Sequence, residues 1–327
     1  MSPLKREPRA AEDDVKYEAI TRKRIQTSSL LCLLFGLTNL LVAEASLCPG
    51  NVPKFQYQPL DHLQIAVPVR INSSGPYEFL VDTGSQLTIV EPSLAAELGL
   101  KPVATGGVIS VTRYADVPMA LADRIEAGSV FVERPVVAIE DLGQLKELYP
   151  KIRGKLGESF LEHFDVLLDY AHKALCLDDS GTMREEMQGE RVPLVAQETQ
   201  QGRLAVAHPI LIGARLSSSS SRETILRLDS GTNVALLYKA RLEAPLWKQM
   251  ENAKQCAVTH RSSVSLTVVP PQDVRIGGRL VRGVAFMTPV RTGKIVTIAG
   301  EDGLLPSALF KRVFISHAKQ FVIFDPL

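Results

Sequence analysis

The sequence has few cysteines, one tryptophan and almost no net charge. Only four cysteines occur among 327 residues, and the formal net charge is +1. Such a balance creates no long-range field that would attract nucleic acid or an anionic membrane. The cysteines form no CxxC pair, and the six histidines show no ligand spacing. We therefore expect no metal, no cofactor and no nucleic-acid partner.

The first 45 residues differ in composition from the rest of the chain. Arg22-Lys23-Arg24 precedes an apolar stretch over residues 28–45, which ends in Ala43-Glu44-Ala45. Basic residues, an apolar run and small residues at a cleavage position predict a signal peptide, although the stretch is also just long enough for an N-terminal membrane anchor. Both alternatives stay open, and both place residues 46–327 outside the cytoplasm, as a periplasmic or secreted protein.

Three cysteines follow this segment, so one disulfide is possible and one cysteine is left over. They are Cys48, Cys176 and Cys256, and the sequence leaves their pairing open. Cys48 follows a candidate cleavage site, but the bulky Leu47 before it disfavours lipidation.

The length exceeds the usual range for a single core, so we expect two lobes.

Two short motifs organise the remainder of the chain. Asp82-Thr83-Gly84-Ser85 and Asp229-Ser230-Gly231-Thr232 each follow an apolar run typical of a buried strand. The glycine after each acid permits a tight turn, so the carboxylate can accept main-chain hydrogen bonds. One such string arises by chance in roughly a few per cent of chains this long, and two copies are much rarer.

The spacing of apolar residues around the motifs predicts the same plan twice. Leu156 lies 74 residues after Asp82, and Leu305 lies 76 residues after Asp229. A repeat of this length predicts two all-β lobes packed face to face, over residues 46–190 and 191–327. The predicted strands are 62–71, 79–81, 108–112, 125–132, 135–139, 203–213, 223–228, 264–269, 274–276, 284–286 and 295–298, with short helices at 92–98 and 239–244.

Both motifs resemble the active-site loops of two-lobed aspartic proteases. Lys155-Leu156-Gly157 is similar to the apolar-apolar-glycine element that crosses behind the loop in that family, and Phe160-Leu161 follows as in retropepsin-like bacterial members. The second copy departs from the pattern, because Pro306 replaces the glycine after Leu304-Leu305. The resemblance covers residues 55–327 and implies a cleft between two retropepsin-like lobes.

The resemblance also implies roles for individual residues. Asp82 and Asp229 would share a proton and activate a water. Thr83, Gly84, Ser230 and Gly231 would support the two loops, with Thr83 and Ser230 joining them. Ser85 and Thr232 would donate hydrogen bonds to the outer carboxylate oxygens. Tyr114, in the region 108–120, would lie on a flap over the substrate, or would be a plain surface residue.

The function expected from this resemblance is hydrolysis of peptide bonds by a monomeric aspartic endopeptidase. Its partner would be a peptide or an unfolded protein. The alternative is a peptide-binding protein that keeps the cleft without turnover, since fold alone does not decide function. Retention of both acids favours the enzyme, whereas Pro306 favours the binding protein.

Overall fold

The structure is a computed structural model, and it describes part of the chain. The described residues are 48–49, 52, 54–56, 58–60, 64–110, 113–196, 208–218, 222–238, 254–258, 263–289 and 300–327. Among them, no helix is long and apolar enough to cross a membrane.

The described residues of the first half form short strands and four short helices. Its strands are β1 (Lys54–Gln56), β2 (Gln58–Leu60), β3 (Gln64–Ile71), β4 (Ser74–Val81), β5 (Thr88–Val90), β6 (Pro102–Ser110), β7 (Arg113–Leu121), β8 (Arg124–Ala127), β9 (Val130–Glu133), β10 (Val136–Ile139), β11 (Ile152–Leu156), β12 (Asp165–Asp169) and β13 (Ala174–Asp178). Its helices are α1 (Pro92–Glu97), α2 (Gln144–Leu148), α3 (Glu158–Leu161) and α4 (Thr182–Glu186).

The described residues of the second half form twelve further strands. Its strands are β14 (Val192–Pro193), β15 (Leu211–Leu216), β16 (Thr224–Asp229), β17 (Ala235–Leu237), β18 (Lys254–Val258), β19 (Ser263–Val268), β20 (Gln272–Ile276), β21 (Arg279–Val284), β22 (Phe286–Pro289), β23 (Gly303–Pro306), β24 (Arg312–Ser316) and β25 (Phe321–Phe324). A 3-10 helix covers Ser307–Leu309.

Each half forms a sheet with the same order of strands. The N-lobe sheet runs β6-β7-β10-β5-β11-β4-β3-β8-β9, with β2 beside β3. The C-lobe sheet runs β18-β19-β22-β17-β23-β16-β15-β20-β21, so each of its strands has a counterpart in the N-lobe sheet. This correspondence confirms the predicted two-lobed, all-β fold with an internal duplication.

A third sheet contains strands from both halves. Its order is β1-β13-β12-β24-β25-β14, and β12 and β24 pair antiparallel at its centre. Leu167 lies opposite Phe314, and Asp165 lies opposite Ser316. The sequence analysis did not foresee this sheet, because period-two patterns do not show which strands pair across a duplication.

The largest apolar cluster also spans both lobes. Phe79, Phe160 and Phe286 are fully buried in it. Each buried side chain of this size contributes about 2–3 kcal/mol of transfer free energy. The motif loops are therefore anchored at the ends of strands whose side chains are part of the core.

Several predicted elements differ in their bounds from those of the structure. The strand predicted over 125–132 is two strands, β8 and β9, because the chain turns at Gly128 with a φ of +57°. The prediction at 284–286 joined the end of β21 to the start of β22. Residues 108–110 of the strand predicted over 108–112 belong to the longer β6.

Other predictions lie wholly or partly outside the described residues. These are residues 62–63 of the first predicted strand, residues 111–112, residues 203–207 of the hairpin that opens the second half, the helix at 239–244 and the strand at 295–298. The domain limits and the N-terminal segment stay predictions.

The structure pairs two of the three remaining cysteines. Cys48 and Cys176 form a disulfide between residues 128 positions apart in the sequence. Cys176 lies on β13, so the bridge ties the beginning of the described chain to the third sheet. The sequence left this pairing open, since three cysteines allow three different bridges.

Candidate active site

The first motif loop is closed by hydrogen bonds from its own main chain. β4 ends with three buried residues and leads directly to Asp82. The Gly84 N–H donates to Asp82 Oδ1 at 3.1 Å, and the Ser85 N–H donates to the Asp82 carbonyl at 3.0 Å. The Asp82 N–H donates to the Leu156 carbonyl at 3.0 Å, so β11 supports the loop from behind.

The second motif loop repeats this geometry. Asp229 is the last residue of β16, and the Gly231 N–H donates to Asp229 Oδ1 at 2.7 Å. β23 runs parallel to β16, with Leu305 opposite Leu228 and Pro306 opposite Asp229. The loop therefore has the same neighbouring strand as its counterpart, despite the proline.

Thr83 and Ser230 join the two loops by reciprocal hydrogen bonds. The Thr83 N–H donates to Ser230 Oγ, and the Ser230 N–H donates to Thr83 Oγ1, both at 3.0 Å. The Thr83 hydroxyl donates to the Leu228 carbonyl at 3.0 Å, and the Ser230 hydroxyl donates to the Val81 carbonyl at 2.8 Å. All four bonds are buried and cross from one lobe to the other, as the resemblance implied.

The two glycines allow each loop to approach the aspartate of the other lobe. A Cβ on Gly84 would lie 2.3 Å from Cγ of Asp229, and a Cβ on Gly231 would lie 2.4 Å from Cγ of Asp82. Any side chain at either position would collide with a carboxylate. The structure thus brings Asp82 and Asp229 together in one site, where they are 4% and 8% exposed.

Side chains from the opposite lobe also hold the glycine carbonyls. Gln64 Nε2 donates to the Gly231 carbonyl at 2.5 Å, and Arg227 Nη1 donates to the Gly84 carbonyl at 2.7 Å. Arg227 Nε donates to Glu301 Oε2 at 2.9 Å, and the Tyr238 hydroxyl donates to Glu301 Oε1 at 2.5 Å. The buried charge of Arg227 therefore has a carboxylate partner behind the loops.

Burial, and after it the nearby charge of Asp82, raise the pKa of Asp229 to about 7. Lys155, Arg227 and the Gly231 N–H favour the ionised form and oppose this rise. The two effects that favour the protonated form of Asp229 thus outweigh the three that oppose it.

Lys155 is a site residue that the sequence analysis missed. Its Nζ donates to Asp82 Oδ2 at 2.6 Å, and the two side chains are 10% and 6% exposed. In the sequence, Lys155 is the first residue of the segment that resembles an apolar-apolar-glycine element. A lysine in a position that should be apolar was the signal that could have identified it.

Ser85 and Thr232 do not make the contacts expected of them. The Ser85 hydroxyl donates to the Leu87 carbonyl at 2.8 Å, and the Thr232 hydroxyl donates to the Val234 carbonyl at 3.3 Å. Short hydroxyl side chains often bond to the main chain two residues further on, which closes a turn locally. On Asp82, Lys155 provides the side-chain contact that the resemblance had assigned to Ser85.

The replacement of glycine by Pro306 is matched by a second replacement in the same lobe. The Gly157 N–H donates to Thr88 Oγ1 at 3.2 Å in the N lobe. The pairing of β23 with β17 places Ala235 where the N lobe has Thr88. Proline lacks the donor and alanine lacks the acceptor, so the C lobe has no unpaired group at this position.

Tyr114 lies on β7, opposite Ile109 of β6. These two strands form an antiparallel hairpin at one end of the N-lobe sheet. The side chain of Tyr114 lies outside what the structure describes, so its role in a flap stays a prediction.

Comparison with known proteins agrees with this geometry for part of the chain. Residues 67–160 match the model of a family described as aspartyl protease. This segment contains the first motif loop, Lys155 and the start of α3. No curated protein matches the chain.

Two solved structures are similar to the chain. The aspartic proteinase from Irpex lacteus is 13% identical, covers 84% of this chain and 96% of its own, and has a TM-score of 0.46. A retropepsin-like aspartic protease from Rickettsia conorii is 19% identical, covers 38% of this chain and 90% of its own, and has a TM-score of 0.30. The family match supports aspartic protease activity at a general level.

Proposed function

We propose that this protein is an aspartic endopeptidase that cleaves peptide bonds with Asp82 and Asp229. The observation that carries the proposal is the reciprocal bonding of Thr83 and Ser230, because it holds two loops from different lobes with both acids in one site. Two structural turns without a shared task would not need four buried bonds across a lobe boundary.

The chemistry follows from two carboxylates that cannot both ionise readily at close range. This like-charge effect is the established behaviour of aspartic protease pairs. The ionised acid takes a proton from a water molecule, and the protonated acid donates a proton to the carbonyl oxygen of the peptide. The raised pKa of Asp229 supports its role as the acid, with activity on the acid side of neutrality.

An extended segment of a peptide or an unfolded protein is the proposed substrate. A cleft between β lobes can hold such a chain by main-chain hydrogen bonds, with pockets for alternate side chains. The hairpin of β6 and β7 would close over it. Since one chain supplies both aspartates, we propose that the monomer is active.

We also infer an extracytoplasmic location, because the charge pattern around residues 28–45 is typical of export. The disulfide between Cys48 and Cys176 supports this inference, since such bridges persist in oxidising compartments. Retention of residues 28–45 would leave the protein anchored to the membrane, and cleavage would release it.

A peptide-binding protein without turnover is the second candidate. The observation in its favour is the ammonium group of Lys155 on Asp82, because it occupies a carboxylate oxygen of the proposed base. Pro306 no longer favours this candidate, since Ala235 lies where the N lobe has the acceptor Thr88, so no acceptor is left without a donor.

Cleavage of an unstructured protein by the purified protein between about pH 3 and pH 8 decides between the two. The proposed enzyme generates fragments with peak activity below neutrality, and the variant carrying both Asp82→Asn and Asp229→Asn generates none. Asp179→Asn is the matched control, because Asp179 is exposed and far from the loops in sequence. Binding of the substrate without any fragments would favour the peptide-binding protein.

A further inference from the structure

The two lobes differ in the residue that lies beside the strand leading to each aspartate. In the N lobe, Lys155 on β11 is paired with Leu80 on β4 and with Ile89 on β5. In the C lobe, Leu304 is paired with Arg227 on β16 and with Leu236 on β17. Lys155 and Leu304 therefore occupy equivalent positions. A leucine fits this position in one lobe, so the fold does not need a lysine there.

The lysine is buried among apolar neighbours, and its charge is directed at one carboxylate. Leu80, Ile89 and Ile152 belong to the apolar cluster on this side of the N lobe. The ammonium group lies 2.6 Å from Asp82 Oδ2, while Gly84 donates to Oδ1 of the same carboxylate. A buried ammonium is costly unless it is paired, so the contact with Asp82 is the interaction that makes its burial tolerable.

No equivalent cation contacts Asp229 through the matching position, since Leu304 is apolar and 4% exposed. Arg227 lies on the strand that carries Asp229, but its guanidinium bonds to Glu301 and to the Gly84 carbonyl. Glu158, a further buried acid, is hydrogen-bonded to His317 at 2.8 Å. An ammonium group thus contacts the carboxylate of Asp82 directly, whereas Lys155 and Arg227 favour the ionised form of Asp229 only through their nearby charge.

We propose that Lys155 is a positioning residue that keeps Asp82 as the ionised member of the pair and leaves the proton on Asp229. The inference rests on the proposed function, which it deepens by dividing the roles of the two acids. Asp82 is then the general base and Asp229 the general acid. Lys155 acts through Asp82 and contacts neither the water nor the peptide.

The proton balance of the reaction follows from this division. Asp82 removes a proton from the water as the water oxygen bonds to the peptide carbon, and Asp229 gives its proton to the carbonyl oxygen. The result is a neutral tetrahedral diol. As the carbon–nitrogen bond breaks, Asp82 passes its proton to the leaving nitrogen, and a diol hydroxyl returns a proton to Asp229. Both acids regain their starting states.

The test compares Lys155→Leu, which copies Leu304, with Lys155→Arg in the full chain. An opposite charge at this distance typically lowers a carboxylate midpoint by about one to three pH units. The leucine variant should therefore move the acidic limb of the kcat/KM profile to higher pH by about that amount. It should also change kcat more than KM. The arginine variant should restore the acidic limb to its position in the parent.

Lys146→Leu is the matched control. Lys146 Nζ lies 2.8 Å from Glu91 Oε2, so this change breaks a lysine–carboxylate pair of the same lobe. It should leave the pH profile unchanged. An acidic limb that does not move in Lys155→Leu would overturn the proposal. Higher activity of this variant at every pH would also overturn it, because Lys155 would then inhibit the site.

Carbon-13 NMR of the aspartate carboxyl groups separates this inference from the proposed function. In the parent, Asp82 should ionise at lower pH than Asp229, with assignments made from Asp82→Asn and Asp229→Asn. This order needs no turnover and no folded Lys155 variant. If the parent cleaves nothing but shows this order, the protease proposal fails and the division between an ionised Asp82 and a protonated Asp229 stands. The reverse order overturns the inference even in an active enzyme.

Discussion

The N lobe and the C lobe share a backbone plan but distribute charge differently around it. The N lobe has Lys155 on β11 beside Leu80 on β4, whereas the C lobe has Leu304 on β23 beside Arg227 on β16. Each of these two strand pairs thus buries one cation, but on opposite members of the pair. Only the cation of the N lobe bonds to an aspartate, so a symmetric frame holds an asymmetric pair of acids.

A second comparison concerns the contacts at the third sheet. Glu158 bonds to His317, and the equivalent residues of the other lobe, Ser307 and Tyr170, bond to each other at 2.5 Å. Both contacts cross between the lobes at related positions. One is a pair of ionisable groups and the other a pair of hydroxyls. The duplication therefore preserves the positions of contacts more closely than their chemistry.

The largest effect on stability should come from asparagine at the two aspartates, with opposite signs. Asp82→Asn removes the partner of Lys155 and should lower the free energy of unfolding by about 3 kcal/mol, since breaking a buried pair leaves a charge without compensation. Asp229→Asn should instead raise it by about 2–4 kcal/mol at pH 8. Urea unfolding of both variants and the parent measures these changes.

The sign for Asp229 follows from its pKa of about 7. Between about pH 4 and pH 7 the folded protein keeps this proton, whereas the unfolded chain releases it. The parent therefore loses stability as the pH rises through this window, and Asp229→Asn should not show this loss. Equal destabilisation by both variants would contradict the asymmetry.

The next largest effect on stability should come from His317→Leu, and it should exceed the effect of Tyr170→Phe at the equivalent position. His317→Leu leaves the fully buried Glu158 without its partner and should cost about 3 kcal/mol. Burial raises the pKa of Glu158, so protonation of Glu158 should reduce this cost at low pH. Tyr170→Phe removes one hydrogen bond to Ser307 and should cost about 1 kcal/mol. Thermal unfolding of the two variants at pH 7 measures both losses of stability, and equal losses would contradict this difference.

The smallest effect on stability should come from loss of the hydrogen bond between Gly157 and Thr88. Thr88→Val keeps the shape of the side chain but leaves the Gly157 N–H without its acceptor, which should cost about 1 kcal/mol. Ala235→Ser in the C lobe should yield no compensating gain, because Pro306 has no N–H to donate. A stabilising Ala235→Ser change would show that the two positions are not equivalent. Chemical unfolding of the two variants measures the difference.

The sequence predicted the parts of the fold that depend on local patterns. The hairpin of β3 and β4, the helix at Pro92 and the two aspartate loops all follow from alternation, capping and turn residues. The bonds between Thr83 and Ser230 were predicted from the resemblance, which carries information about pairs distant in sequence.

The remaining features depend on which residues meet after folding. The third sheet pairs β12 with β24, and no local pattern specifies that partner. Ser85 was expected to bond to Asp82, but its hydroxyl reaches the nearer Leu87 carbonyl. Lys155 was visible in the sequence, yet its contact with Asp82 became evident only from the parallel register of β11 and β4.

The central claim is that the two lobes form one active site, and paired cleavage assays of Asp82→Asn and Asp229→Asn test it most directly. Each variant is compared with the parent at a temperature at which circular dichroism shows all three folded. Since either change removes the base or the acid, both should lower kcat/KM by about a thousandfold or more. Near-parental activity of Asp229→Asn beside an inactive Asp82→Asn would show that the C lobe does not supply half of the site.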